Sequence, residues 1–244
     1  FFNGSIDQFR YFNKALNSTE VTTLYNETAC DAIERNNGTT QILGDTSCIA
    51  YFKLDGNATD ETGNYTTTVT NVDYGVGEFG QAGYFNNIYS SRIQANTAIL
   101  PTNIFSVSLW MKQTNITNNK WILTQYTGGV TGRFVLSVHD GGRLQINVSS
   151  TNSGTEITEG VIRNNVWHHI VLVKNGGSGW VLYVDNKEVG TWSSTANIIT
   201  NQDTVFGGNH NVTTTSIDGQ LDNIRIFNKA VSASEVDILY NEGL

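Results

Sequence analysis

The feature that most constrains this chain is a repeat of itself. Residues 2–27, FNGSIDQFRYFNKALNSTEVTTLYNE, align without a gap to residues 217–242, IDGQLDNIRIFNKAVSASEVDILYNE, and half of the aligned positions are identical. Gly4 matches Gly219, Asp7 matches Asp222, Arg10 matches Arg225, Phe12 to Ala15 match residues 227–230, and Leu24 to Glu27 match residues 239–242. The copies lie 215 residues apart, a distance that fits one β-sandwich domain and a linker. The sequence therefore reads as part of a tandem array cut in mid-repeat. Residues 1–28 are expected to be the terminal strand and helix of a preceding repeat, 29–48 a linker, and 49–244 one full domain.

Each copy joins a strand to a short helix. Ser232 is placed to accept from the Glu235 backbone N–H while the Glu235 side chain reaches back, and Asn17 with Glu20 repeats this capping box. Val236, Leu239 and Tyr240 recur at helical spacing and form one apolar face. Between the copies, apolar runs at 49–54, 105–111, 121–125, 133–138, 167–173 and 180–184 read as strands. His139-Asp-Gly-Gly-Arg143 and Asp185-Asn186 supply residues tolerant of positive φ for the hairpin turns between them. Only 15% of residues are charged and Pro101 is the single proline, which suits many short strands joined by polar turns. The expected class is all-β, with antiparallel strands in two packed sheets.

Charge excludes some partners. The formal net charge is −8 and Lys and Arg form no run, so nothing can neutralise a row of phosphates or an anionic membrane surface. No apolar stretch approaches the roughly 20 residues that span a bilayer. Nucleic-acid binding and membrane insertion are not expected.

Catalysis finds little support. His168 and His169 are adjacent in a strand, so they face opposite ways and cannot share one metal. His139 and His210 are isolated, and no Ser or Cys nucleophile has a companion base at readable spacing. Retaining glycoside hydrolysis needs two carboxyl groups about 5–5.5 Å apart. Glu156 and Glu159 are an odd number of residues apart and point to opposite faces of a regular strand, whereas Asp218 and Asp222 could share one. Aromatic rings offer more, because the apolar faces of sugars stack on them. Trp110 and Trp167 sit at apolar positions of central strands, while Tyr89, Trp121, Tyr126, Trp180 and Trp192 lie near strand ends or polar loops and are the candidate ligand platform. Cys30 and Cys48 bracket a polar segment; a disulfide between them would stabilise by about 3 kcal/mol and imply an oxidising compartment, the alternative being two free thiols.

The ordered series Ile49-Ala-Tyr-Phe-Lys-Leu-Asp55, Asp60-Glu-Thr-Gly-Asn64, Gly77-Glu-Phe-Gly-Gln-Ala-Gly-Tyr-Phe-Asn86, Phe105-Ser-Val-Ser-Leu-Trp110, Trp167-His-His-Ile-Val171, Val181-Leu-Tyr-Val-Asp185 and Gly219-Gln-Leu-Asp-Asn-Ile-Arg-Ile-Phe227 resembles the laminin-G-like family of the concanavalin-A-like lectins and glucanases. The resemblance covers residues 49–242 and implies a jelly roll of two antiparallel sheets with a short C-terminal helix. It also implies an extracellular setting, on a cell surface or in a virion fibre, and a glycan or glycoprotein as ligand, with neighbouring repeats as partners. The Glu-x-Asp-x-x-Glu pattern of the related glucanases is absent. Many relatives carry a structural calcium ion. In the family the loop holding Asp60 and Asn64 meets the closing strand, so Asp60, Asn64 and Asp222 are the expected calcium ligands. The resulting expectation is a non-catalytic glycan-binding or adhesion module. A structural spacer repeat and, more distantly, a glycoside hydrolase are the alternatives.

Overall fold

The computed structural model describes residues 12, 14–18, 21, 39–86, 90–117, 119–125, 133–148, 155–156, 160–176, 179–193, 197–209 and 215–242. Most of the first repeat copy, residues 2–27, lies outside this set, as does Cys30.

The strands are β1 (Cys48–Phe52), β2 (Thr67–Thr70), β3 (Val72–Val76), β4 (Gln81–Phe85), β5 (Arg92–Ala95), β6 (Ile104–Gln113), β7 (Lys120–Gln125) and β8 (Phe134–His139). They continue with β9 (Arg143–Asn147), β10 (Thr155–Glu156), β11 (Trp167–Asn175), β12 (Gly179–Val184), β13 (Lys187–Trp192), β14 (Thr204–Phe206) and β15 (Gly219–Phe227), and helix α1 (Ala233–Tyr240) follows. One sheet runs β13-β12-β11-β6-β15-β4-β3 with β1 added on β15; the other runs β10-β9-β8-β7-β14-β5-β2. All strand pairings are antiparallel, so the described residues form the two-sheet jelly-roll sandwich expected from the sequence.

Period-two alternation decides what each sheet buries between them. Phe105, Val107, Leu109 and Met111 of β6 join Phe134, Leu136 and Val138 of β8 and Leu144 and Ile146 of β9 in one core cluster. The β8–β9 hairpin turns where Gly141 and Gly142 take φ of 76° and 78°, and the β12–β13 hairpin turns on Asp185 and Asn186 at 50° and 62°. At the start of β15, a side chain on Gly219 would place its Cβ 2.1 Å from the Lys112 carbonyl oxygen, so only glycine lets β15 approach β6 there.

A second cluster sits on the opposite face of the first sheet. Tyr51, Val171, Val173, Phe227, Val231, Val236 and Leu239 pack there, joined by Ile42 and Leu43 from the segment ahead of β1. Burying Val236 and Leu239 stabilises α1 by about 1.5–3 kcal/mol per side chain. The helix starts at the expected capping box, Ser232 and Glu235 bonding each other's backbone N–H. Its far end is fastened by a buried ion pair of Arg225 with Glu242, the guanidinium lying 3.9 Å from the Tyr51 ring centroid. Arg10 and Glu27 hold the equivalent places in the first copy.

Candidate functional site

Three neighbouring strands of the second sheet, β7, β8 and β9, turn their non-core side chains to one side. Cross-strand partners share a face, and the register sets Trp121 opposite Ser137, Ser137 opposite Gln145, and Val135 opposite Asn147. Together with Asn119 and Arg133 these residues line a cavity of 260 Å³. Trp121 is half-buried, whereas Arg133, Val135, Ser137 and Asn147 are buried. The Arg133 Nε–H donates to Asn147 Oδ1 at 3.1 Å, which fixes the amide so that its Nδ2 faces away from that bond. The cavity thus offers one indole, one guanidinium, three amides and a hydroxyl. None of the described lining residues is a carboxylate.

Of the aromatic candidates, Trp121 alone lines this cavity among the described residues. Trp180 is corrected to a core residue: it is fully buried, stacked on Phe134 and Trp192 and capped by Lys174 Nζ 4.5 Å from its ring centroid, so it has no face for a ligand. Trp192 spends one ring face on Trp180, at 5.5 Å between centroids, and packs against the core. Tyr89 and Tyr126 lie outside the described residues. Trp110 is buried away from the inter-sheet core, stacked on Tyr240 of α1 and tilted against His169. The sequence reading missed Arg133, Ser137, Gln145 and Asn147. Their signal was alternation: each adjoins a core residue of β8 or β9 in the chain and so faces the other way.

The adjacent histidines have separate partners. His168 Nε2 accepts from the Arg163 N–H, which puts its proton on Nδ1, and that N–H donates to Asp185 Oδ2 at 2.7 Å. His169 Nε2 meets Ser108 Oγ at 2.8 Å. Burial pushes the His169 imidazole down to about 3, against the pull of Asp185 and with the help of Arg225. Both side chains are buried, and neither reaches the cavity lining.

The acidic residues expected at a calcium site are placed differently from one another. Asp60 is buried and its two oxygens accept from the backbone N–H groups of Tyr51, Thr62, Asn64 and Tyr65 and from the Thr62 hydroxyl, so it organises its own loop. The Asn64 side chain donates to the Ile49 carbonyl at 3.1 Å. Asp222 is fully buried: Oδ2 accepts from the Phe79 N–H at 2.9 Å, and Oδ1 has no hydrogen-bond partner among the described residues. Burial pushes the Asp222 carboxyl up to about 7, and the charge of Asp55 acts in the same direction. The 77–80 turn presses against both carboxylates, since a Cβ on Gly77 would lie 2.6 Å from Asp222 Oδ2 and one on Gly80 2.5 Å from Asp55 Oδ1. The acidic neighbour of Asp222 is therefore Asp55, from the segment just after β1. No group of three or more His, Cys, Asp or Glu side chains among the described residues is arranged to hold a metal ion. Cys48 is a buried free cysteine whose Sγ lies 3.4 Å from the Ala50 carbonyl, and burial raises its thiol to about 11. Its expected partner Cys30 is outside the described residues.

No helix among the described residues is long and apolar enough to cross a membrane. The sequence matches no curated protein. Its fold is similar to domain 4 of AbnA, an extracellular arabinanase of Geobacillus stearothermophilus solved with arabinotriose, at 20% identity and a TM-score of 0.67 over 80% of this chain and 98% of that one. The binding domain of Paraclostridial Mosquitocidal Protein 1 is similar at 17% identity and a TM-score of 0.67, over 80% of this chain and 52% of that one. The ligand-binding domain of botulinum neurotoxin serotype D, solved with N-acetylneuraminic acid, is similar at 18% identity and a TM-score of 0.61, over 80% and 50%. This chain thus spans about half the length of the toxin binding domains. Residues 86–237 match the family described as the concanavalin A-like lectin/glucanases superfamily. With that match covering more than half of its length, the chain belongs to the concanavalin A-like lectin/glucanase superfamily.

Proposed function

We propose that the module is a non-catalytic glycan-binding unit of an extracellular surface or fibre protein, and that the cavity on β7–β9 is its site. The observation that carries this reading is the cavity lining: an indole beside three amides, a hydroxyl and a guanidinium. Such a site stacks the apolar face of a sugar and hydrogen-bonds its hydroxyls. The arabinotriose complex of one structural neighbour and the N-acetylneuraminic acid complex of another support it. Hydrolysis is the weaker reading because it needs two carboxyl groups flanking the bond, and the described lining supplies none. The test is glycan-array binding of the parent and of Trp121→Ala. The parent is expected to bind at least one glycan and the variant to bind it at least tenfold more weakly, about 1.4 kcal/mol. A parent that binds nothing favours the spacer, an unaffected variant moves the site elsewhere, and release of shorter sugars from a polysaccharide revives the hydrolase.

We also propose a structural calcium ion at Asp222. Asp222 Oδ1 is a buried, unbonded carboxylate oxygen, and a divalent cation with oxygen ligands is what such a group accommodates. Asp55, whose charge acts on Asp222, is the acidic neighbour that could share the ion, and Asp60 would act only indirectly, by holding its loop. Calcium at 100 times its Kd would stabilise the fold by about 2.7 kcal/mol, roughly 5–10 °C in Tm for a chain of this size. Chelation should lower the melting temperature by that amount in the parent and leave Asp222→Asn unmoved. An unchanged parent melt after exhaustive chelation refutes the ion.

A further inference from the structure

We infer that the outer face of the first sheet carries a second glycan site, a strip across five strands on the opposite side of the sandwich from the cavity, and that it takes a neutral polysaccharide. This rests on the reading of the module as a glycan binder and makes the module bivalent. The register sets Trp167 of β11 opposite Lys112 of β6, Lys112 opposite Gln220 of β15, Gln220 opposite Tyr84 of β4, and Tyr84 opposite Asp73 of β3. Directly paired residues share a face, so these side chains form one row. Their chain neighbours Met111, Leu221 and Phe85 belong to the core between the sheets, so the row faces outward. The cavity on β7–β9 faces outward from the other sheet, and one sugar ring cannot touch both.

Tyr84 is 43% exposed, Asp73 is exposed, and Trp167 and Lys112 are half-buried. Lys112 Nζ lies 6.0 Å from the Trp167 ring centroid. Gln220 Nε2 donates to the Val76 carbonyl at 2.9 Å, which sets the amide and leaves its oxygen as an acceptor. Three strand spacings separate Trp167 from Tyr84, about 14 Å at the backbone, which is too far for one sugar to bridge. A chain laid across the strands reaches both rings and passes over an ammonium and an amide that bond its hydroxyls. Each ring alone is a weak plate, and joining two contacts through one chain multiplies their affinities, so the strip suits a polymer. Lys112 and Asp73 balance in charge, so the chain it suits is neutral. The next row on this face is covered: Trp110 is stacked on Tyr240 of α1 and meets the Phe79 ring edge-on at 5.5 Å. Helix α1 and the 77–80 turn thus wall one side of the strip and direct a ligand along the row.

The probes are soluble arabinan, xylan, mannan and mixed-linkage β-glucan, titrated against the full chain and its variants. Trp121→Ala, which removes the indole of the cavity, should still bind at least one of them. In that background Tyr84→Ala should weaken binding by about fivefold or more, and Tyr84→Phe, which keeps the ring, should change it by less than about twofold. Tyr84 is exposed, so its loss tests the strip without emptying the core. Complete loss of polysaccharide binding in Trp121→Ala, or no effect of Tyr84→Ala on the binding that persists there, overturns the strip and leaves the module a glycan binder. Binding that survives Trp121→Ala undiminished but falls with Tyr84→Ala supports the strip and moves the site away from the cavity. A parent that binds short glycans and none of the four polysaccharides overturns the strip alone, and one that binds neither overturns both readings. Self-association that Tyr84→Ala abolishes, with no polysaccharide bound, makes the row a protein contact and likewise overturns the strip.

Discussion

Acid should destabilise this module through one buried imidazole, and the effect is large enough to isolate. His169 is 1% exposed, packed beside the stacked Trp110 and Tyr240 rings with Nε2 on Ser108 Oγ and Nδ1 without a hydrogen-bond partner among the described residues. Burial pushes it down to about 3, with Asp185 opposing and Arg225 reinforcing the shift. An unfolded histidine takes its proton near 6.5, so from there down to the folded value the unfolded chain binds one more proton than the native one. Stability from this group is therefore fully present above pH ~6.5 and falls by about 1.4 kcal/mol per pH unit below it. In calcium-free protein Asp222 acts with the opposite sign. Its carboxyl is raised from 3.8 to about 7, so between those values the folded state holds the extra proton and stability rises as pH falls. The two trends offset each other in the parent, so the total stability curve is a poor readout. The difference between the parent and His169→Gln removes the Asp222 contribution, because both proteins carry it. The amide can still bond Ser108 but does not titrate. In urea unfolding at matched pH, the parent's stability relative to the variant should drop by about 2.7 kcal/mol between pH ~6 and ~4. A difference that stays flat across that range would show that His169 takes up its proton in the fold without penalty, and would refute the argument.

Three further outcomes are expected. Glu242→Ala leaves the Arg225 guanidinium buried without its carboxylate and should cost about 3–5 kcal/mol in denaturant unfolding, a loss below ~1 kcal/mol counting against the ion pair as the clasp of α1. Deleting residues 1–28 should leave the sandwich cooperatively folded, because β15 and α1 already close it; loss of the cooperative transition would overturn the assignment of that segment to a preceding repeat. A Cys30–Cys48 disulfide, which we propose from the sequence, predicts no alkylatable thiol in denatured, unreduced protein; two alkylated thiols would end it and agree with the free Cys48 of the structure.

What the sequence made legible, and what it did not, follows from how far each decision reaches along the chain. Helix α1 was readable because its determinants are local: Ser232 and Glu235 are three residues apart, and Val236 and Leu239 share a face by spacing alone. The β12–β13 turn was readable for the same reason, Asp185 and Asn186 both tolerating positive φ. Surface against interior was harder for rings near strand ends. Trp180 and Trp121 each stand second in their strand, but Trp192, Phe134 and Phe105 close over the first, while the second projects from the face that β8 and β9 leave polar. That distinction depends on which strands become neighbours, and no local window contains it. The acidic loop hid its bonding in another way. Asp60 is a carboxylate in a glycine-bearing loop, and its oxygens accept from three backbone N–H groups of that loop and from the Tyr51 N–H of β1. Asp222 has the opposite history: its place in the central strand β15, with Trp110 of β6 opposite, takes it out of water, and the Phe79 N–H satisfies only one oxygen. Carboxylates are costly to bury unless paired, so Asp222, whose burial the fold leaves incompletely compensated, is where the proposed ion would relieve most.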